Sequence, residues 1–294
     1  GVAGIRDASA LFFNPAAMTR LEGTQVYVGG SLLSPVTSFA GDTPFPGVGV
    51  TEEMKRRQFF PPAIYATHRY GSGWAVGAGL NAPFGLGIQW KDPFHFTGRY
   101  IVTHADLTTL NANLSAAYAL NPNWSVAAGA NALFAKVQLK SNSLAMIPGG
   151  GGKLVDVAET VLDSDFKPGY GWNLAVSGTP CKQWRVGAAY RSKVIVDVDD
   201  GTAKIRQIPT GILQFDGAVA ASLPPSQAVS TVLRFPATWS AGGAWMPNTA
   251  WTVEADFNFF EWSVFEDLPI RFHVTPGANK TVVEDYKDSF QVRA

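Results

Sequence analysis

The sequence predicts an all-β protein whose strands cross a membrane as an antiparallel β-barrel, and three features predict it. Segments close to the 9 to 11 tilted residues of a spanning strand alternate bulky apolar with small or polar side chains. Charges such as Arg185, Arg191, Arg234, Glu254 and Asp256 fall on the face opposite the bulky residues. A Lys or Arg turned to lipid at mid-depth would cost roughly 2 to 4 kcal/mol, so that face belongs to an enclosed interior. Short turns alternate with long loops, and Trp74, Trp124, Trp172, Trp184 and Trp251 stand at strand starts, as an interfacial aromatic girdle places them. A soluble β-sandwich also alternates, but seldom joins its strands so unevenly.

Composition agrees. Of 294 residues, 46% are hydrophobic and 16% charged, against about 25% charged in soluble domains. No run approaches the ~20 apolar residues of a spanning helix. A net charge of +0 gives no reason to expect nucleic acid as a partner. Cys181 is the single cysteine, which excludes an internal disulfide and a Cys-rich metal site, and no metal or cofactor is expected. The opening GVAGIRDAS has neither the basic start nor the apolar run of a signal peptide.

Residues 1–23 differ from the remainder. Asp7 can cap a short turn into Ala8 to Phe13, and Asn14-Pro15 stops it. Alternating segments follow near 24–36 and 59–70, and Gly71-Ser72-Gly73 turns into a strand with Trp74, Val76, Ala78 and Leu80 on one face and Ala75, Gly77, Gly79 and Asn81 on the other. Pro83 interrupts that strand because proline has no N–H for a ladder, and Gly85 and Gly87 permit a bend. Beyond a loop carrying Trp90, Phe94, Phe96 and Tyr100, Leu110, Ala112, Leu114, Ala116 and Tyr118 oppose Thr109, Asn111, Asn113 and Ser115. Asn121-Pro122-Asn123 turns into 124–140. The pattern recurs at 172–177, at 184–191 after a turn around Cys181, at 233–245 with Leu233, Phe235 and Trp239 opposing Arg234, Thr238 and Ser240, and at 251–259 after Pro247-Asn248-Thr249. That makes about nine strands, with a tenth starting near Tyr286. An open edge of long hydrophobic strands has no hydrogen-bond partner in lipid, so the chain is expected to be a fragment.

With DASALFFNPAAMTRL, GWAVGAGLNAPFGLG, ADLTTLNANLSAAYALNPNWSVAAGANALFAKV, GAAYRSKVIVDVDDG and FNFFEWSVFEDL in this order, the chain resembles the FadL/TodX family of Gram-negative outer-membrane channels, which take up long-chain fatty acids and other hydrophobic compounds. The resemblance implies a barrel of about 14 strands with an N-terminal hatch, of which residues 1–23 would be part of the hatch and 24–294 part of the barrel. It also implies location in the outer membrane, contact with outer-membrane lipid, a hydrophobic small molecule as the partner, and a monomer. Asn14, Pro15 and Ala16 fall on the family's hatch motif. Ala82, Pro83, Phe84 and Gly85 fall on its kinked third strand, where ligand would leave sideways.

Long loops at 141–167 and 200–231 carry apolar residues. Leu144, Met146, Ile147, Val161 and Leu162 in the first, part of it at helical spacing from Leu154 to Leu162, and Ile212, Leu213 and Phe215 in the second are candidates for a greasy groove. A fatty-acid carboxylate needs a cation. Family members place basic residues at the outer end of strand five and before strand ten; the aligned positions are Ser141 and Val282, with Lys140 and Lys280 close by, and Lys136, Arg191 and Arg234 are alternative inward cations. Uptake of aromatic hydrocarbons is an alternative within the family. A lipid hydrolase is disfavoured because His68, His95, His104 and His273 sit in no nucleophile motif, and a general porin would lack the hatch.

Overall fold

The computed structural model describes residues 1–44, 46–248 and 250–294; Thr249 of the expected Pro247-Asn248-Thr249 turn lies outside them. A short helix α1 (Ala10–Phe13) ends at Asn14, whose backbone is extended, and a 3-10 segment covers Pro15–Arg20. Proline disfavours a helical residue before it, which is why α1 stops there. The strands are β1 (Thr24–Gly30), β2 (Ser38–Ala40), β3 (Thr51–Glu53), β4 (Pro62–Arg69), β5 (Trp74–Asn81), β6 (Gly85–Gln89), β7 (His104–Ala119), β8 (Trp124–Met146), β9 (Leu154–Asp163), β10 (Lys167–Cys181), β11 (Trp184–Arg191) and β12 (Val194–Gln207). Helix α2 (Leu213–Ser222) precedes β13 (Gln227–Phe235), β14 (Thr238–Trp245), β15 (Val253–Phe260), β16 (Asp267–Phe272), β17 (Lys280–Val283) and β18 (Ser289–Arg293).

All-β architecture is borne out, with antiparallel pairing throughout. The wall runs β1-β4-β5-β7-β8-β10-β11-β14-β15-β18. No helix among the described residues is long and apolar enough to cross a membrane. The structure records a 16-stranded sheet rather than the expected nine or ten strands, because several wall strands are cut in two. β8 runs unbroken, and its first half pairs with β10 while its second half pairs with β9. The neighbours break at one level, at residues 164–166, 192–193, 236–237 and 261–266, and beyond it β9, β12, β13, β16 and β17 make a separate upper ladder.

The break reverses which residues are dry. Below it, Trp124, Trp172, Trp184, Trp239 and Phe257 point outward and are exposed, while Ser125, Asn131, Asn173 and Asp256 point inward and are buried. Above it, Val194, Val196, Val198, Leu233, Phe235, Leu268 and Ile270 form the interior, and Asp197, Asp199, Lys204, Arg206 and Arg271 are exposed on the other face. The lower wall therefore suits lipid outside. The upper sheet suits water outside.

Two expectations are corrected here. Residues 233–245 do not share one facing: Leu233 and Phe235 are buried inside, Trp239 is outside, and Arg234 lies opposite Leu233 in an ion pair with Asp267 at 2.8 Å. The alternation is interrupted at Pro236, which ends the ladder. Helical spacing over Leu154 to Leu162 also fails; the segment is β9, because the second half of β8 offers it a ladder at 138–146 that satisfies its backbone.

Residues 1–23 lie against the inward face of the lower wall. Ala8, Ala10, Leu11, Ala16, Ala17, Met18 and Leu21 form one buried cluster with Tyr65, Ala75, Ala117, Ala127 and Ala175 from five strands. The bareness of the β5 inner face now has a cause. A Cβ on Gly77 would sit 2.7 Å from Met18 Sδ and 2.9 Å from Leu11 Cδ1, and one on Gly79 would sit 2.9 Å from Leu11 Cδ2. Burying Leu11 and Met18 there contributes about 1.5–3 kcal/mol each.

Candidate functional site

The interruption at Pro83 is a gap in the wall. Against β7 the register is Asn81↔Asn111 and then Gly85↔Thr108, so residues 82–84 face only 109–110 and one residue is extra, as in a bulge. The Thr109 hydroxyl substitutes for the missing ladder: it accepts from Phe84 N at 3.2 Å and donates to Phe84 O. Below the gap, Asn111 Nδ2 donates to Asn81 Oδ1 at 3.0 Å and closes the polar interior. On the other side β4 pairs with β5 only as far as Ala63↔Asn81, and among the described residues β6 has β7 as its single ladder partner. The far end of β6 is tied down by Lys55 N donating to Gln89 O at 2.7 Å.

A cavity of about 1010 Å³ occupies this gap. The kink residues Ala82, Pro83, Phe84 and Gly85 line it together with Leu33, Pro35 and Phe59 from the preceding loop and with Leu107, Thr109, Thr108 and Leu110 of β7. Leu107 and Thr109 belong to the inward row of β7, and Thr108 and Leu110 to the outward row. Arg57, which donates to Asp106 from both terminal guanidinium nitrogens, packs over Phe59 at its edge. Phe84 joins the gap to the dry upper interior: its ring stacks on Phe235 at 5.0 Å and meets Trp262 edge-on at 5.7 Å.

A second cavity, about 240 Å³, lies between Phe12, Phe13 and Pro15 of the N-terminal segment, Pro83 and Phe84 of the kink, and the inner face of β11, β14 and β15. Arg191 and Arg293 are its charged lining groups, with Asn173, Thr238, Ser240 and Asn258 as neutral ones. Arg191 donates to Asn131 Oδ1 at 2.6 Å and to Phe12 O at 3.1 Å, and its guanidinium stands 4.8 Å over the Phe12 ring. All of these partners are uncharged.

Asn14, Pro15 and Ala16 are buried together. The Asn14 amide donates to Val2 O and Val176 O, each at 3.0 Å, and its oxygen accepts from Ala16 N. Gly187 is bare so that Asn14 fits, since a Cβ there would lie 2.5 Å from Asn14 Nδ2. Of the loop residues, Leu162 enters the packed interior with Ala203, Val229 and Ile270. Val161 lies on the other face of β9, paired with Lys140. Met146, Ile212 and Leu213 are exposed, Leu144, Ile147 and Phe215 half-buried. Neither cavity described above is lined by any of these loop residues.

The cations divide similarly. Arg191 faces inward. Lys280 is opposite Ile270, on the row of the upper sheet that faces its interior. Lys136 is not an inward cation: it and Lys140 alternate with the inward Leu133, Ala135, Val137 and Leu139 and so face outward. Arg234 is outward for the reason given above. In the first turn of α2, Asp216 accepts from the backbone and hydroxyl of Thr210 and from Gly211 N in the loop before it, which hold its carboxyl below the usual range. The sequence hid the parts that Phe12, Glu254 and Asp256 play, because they depend on where residues 1–23 lie.

The family model described as outer membrane protein transport protein (OMPP1/FadL/TodX) matches residues 1–293. The chain is 24% identical over 277 residues to the long-chain fatty acid transport protein of Escherichia coli O6:H1, covering 89% of this chain and 62% of that protein. It is 29% identical over 242 residues to outer membrane protein P1 of Haemophilus influenzae, covering 69% of this chain and 52% of that one. The chain thus spans about half to two-thirds of the length of these relatives. Its fold is that of a Pseudomonas aeruginosa FadL homologue (TM-score 0.76, 19% identity, 99% of this chain and 72% of the other) and of the Ralstonia pickettii toluene transporter TbuX (TM-score 0.70, 21% identity, 99% and 78%).

Proposed function

The chain belongs to the outer membrane protein transport family (OMPP1/FadL/TodX) of Gram-negative bacteria, and we propose that it is part of a passive channel that admits hydrophobic molecules and releases them sideways into the outer leaflet between Asn81 and Gly85. The observation that carries this reading is the open ladder at residues 82–84 with a cavity of about 1010 Å³ lined from both faces of β7. An apolar molecule gains nothing from crossing into water, and a gap in the wall at bilayer depth lets it pass from a protein interior to lipid without that step. The apolar upper interior supplies the preceding stage, and Phe84, shared between that interior and the gap, marks the path between them. Residues 1–23 act as part of the hatch that keeps water and ions from following.

The cargo we favour is an amphiphile with an anionic head, such as a long-chain fatty acid. Arg191 supports this, because its guanidinium lines the second cavity with only neutral partners, and a charge in such surroundings favours an anion. The relative from Escherichia coli is a long-chain fatty acid transport protein; the structural neighbour from Ralstonia is a toluene transporter. Cells that carry the whole protein with Arg191→Met discriminate the two. Oleate uptake falls and toluene uptake is unchanged if Arg191 takes the head group, whereas equal uptake of oleate by variant and parent refutes the assignment.

A further inference from the structure

We propose that Glu254 and Asp256 of β15 form a releasable clasp for residues 2–4, which let go before residues 10–18 of the same segment; this rests on reading residues 1–23 as part of a hatch. Both side chains point inward, and together they take three consecutive backbone amides. Val2 N donates to Asp256 Oδ1 at 2.8 Å, and Ala3 N and Gly4 N donate to Glu254 Oε1 at 3.3 and 2.8 Å. Neither carboxylate makes an ion pair with a Lys or Arg side chain among the described residues, although Arg293 is opposite Asp256 in the ladder. The hydrogen bonds that these carboxylates accept come from the amides of residues 2–4.

The surroundings fit this arrangement closely. A Cβ on Gly4 would lie 2.6 Å from Glu254 Oε2. On β14, Gly242 leaves room for the Asp256 carboxylate and for Val2, whose Cβ would be 3.1 Å from any added side chain. Asn14 holds the same residue from behind through Val2 O.

Two kinds of attachment result. Leu11 and Met18 are held by dry packing against the glycine face of β5, which water cannot replace. Val2 and Ala3 are buried as well, but their side chains are small and their backbone is held by hydrogen bonds, and water entering the interior can satisfy both the amides and the carboxylates. Release thus starts at the clasp while residues 10–18 stay seated. The space vacated adjoins β14 and β15, whose Ser240 and Asn258 line the second cavity, so letting go enlarges that cavity.

The test uses the whole protein in detergent and in planar bilayers, with amide hydrogen exchange resolved along residues 1–23 and single-channel current as readouts. Removing the charges with Glu254→Gln and Asp256→Asn raises exchange at residues 2–4 on the order of tenfold, leaves residues 10–18 unchanged, and increases the frequency of current bursts. Gly4→Ala, which leaves the wall intact but collides with Glu254, gives the same pattern; Asp197→Asn on the outward face of β12 gives neither effect. Unchanged exchange at residues 2–4 in both the double variant and Gly4→Ala overturns the clasp, as does exchange at 10–18 rising in step with 2–4. Cargo uptake is not among the readouts, so a failure of the sideways-release reading is seen separately in the uptake assays.

Discussion

Deleting Pro83 is the perturbation that bears most directly on transport. Three residues, Ala82, Pro83 and Phe84, now face two, Thr109 and Leu110, between the pairs Asn81↔Asn111 and Gly85↔Thr108. Without Pro83 the count is two against two, and both flanking registers stand unshifted. Phe84 then pairs with Thr109 and keeps its inward direction, so its stacking on Phe235 survives. Closing the ladder exchanges the two bonds that the Thr109 hydroxyl makes to Phe84 for two ladder bonds, each at about 0.5–1.5 kcal/mol, and so leaves the wall no weaker. The expected phenotype is a protein that reaches the outer membrane, melts no lower than the parent, and supports oleate uptake no better than cells lacking it. Substituting Gly85 with valine reinforces the closure, since a Cβ there meets only Leu107 O at 3.7 Å. A deletion variant that is folded, at least as heat-stable as the parent, and transports at the parental rate would refute sideways release.

Other consequences can be checked independently. Gly77→Leu drives a side chain into Met18 and Leu11, and overpacking of this kind costs about 1–3 kcal/mol; residues 1–23 should become cleavable by added protease while the barrel fold, measured by circular dichroism, persists. Phe84→Ala removes a ring shared by the gap and the upper interior. It should lower stability by about 2–4 kcal/mol, somewhat less than a fully buried truncation, in a denaturant titration. Asp216 supplies a pH dependence. Its folded carboxyl titrates below the ordinary value of 3.8, so the anchoring of Thr210 and Gly211 is fully present above that value and is lost as pH falls through the lower, folded one. Hydrogen exchange at those two amides should rise in acid relative to neighbouring loops, and Asp216→Asn should abolish that difference.

The sequence reveals the lower wall well because one physical constraint governs it. Lipid outside and a polar interior force the alternation of Leu110, Ala112 and Leu114 against Asn111, Asn113 and Ser115, and the structure keeps every one of those facings. Carried consistently, the same alternation places Lys136 outside, since it shares parity with Trp124. The upper ladder is less legible because its constraint is inverted: apolar residues there turn inward, and the change of facing at Ser192-Lys193 and Pro236-Ala237 leaves no hydropathy signal of its own. β9 reads as helical because a strand with one dry face and an irregular register at Ser143 and Leu144 mixes apolar spacings. The gap itself is visible in Pro83. What lines it is not, because Leu33, Phe59 and Leu110 are distant in sequence and meet only through the ladder.

Placing the clasp and the gap on different strands has a mechanical consequence. Glu254 and Asp256 sit on β15, whereas the kink follows β5, and the N-terminal segment touches both: residues 2–4 at one side, Leu11 and Met18 at the other, with Phe12 and Phe13 lining the cavity between. A molecule reaching that cavity can displace residues 2–4 without disturbing the packing that supports β5, so the wall beside the gap keeps its shape during passage. If the dry packing instead gave way first, Gly77 and Gly79 would face an unfilled hollow directly below the kink, and the gap would lose its support while in use. On the proposed order of release, Gly4 is on the side that opens, and Leu11, Asn14 and Met18 are on the side that holds.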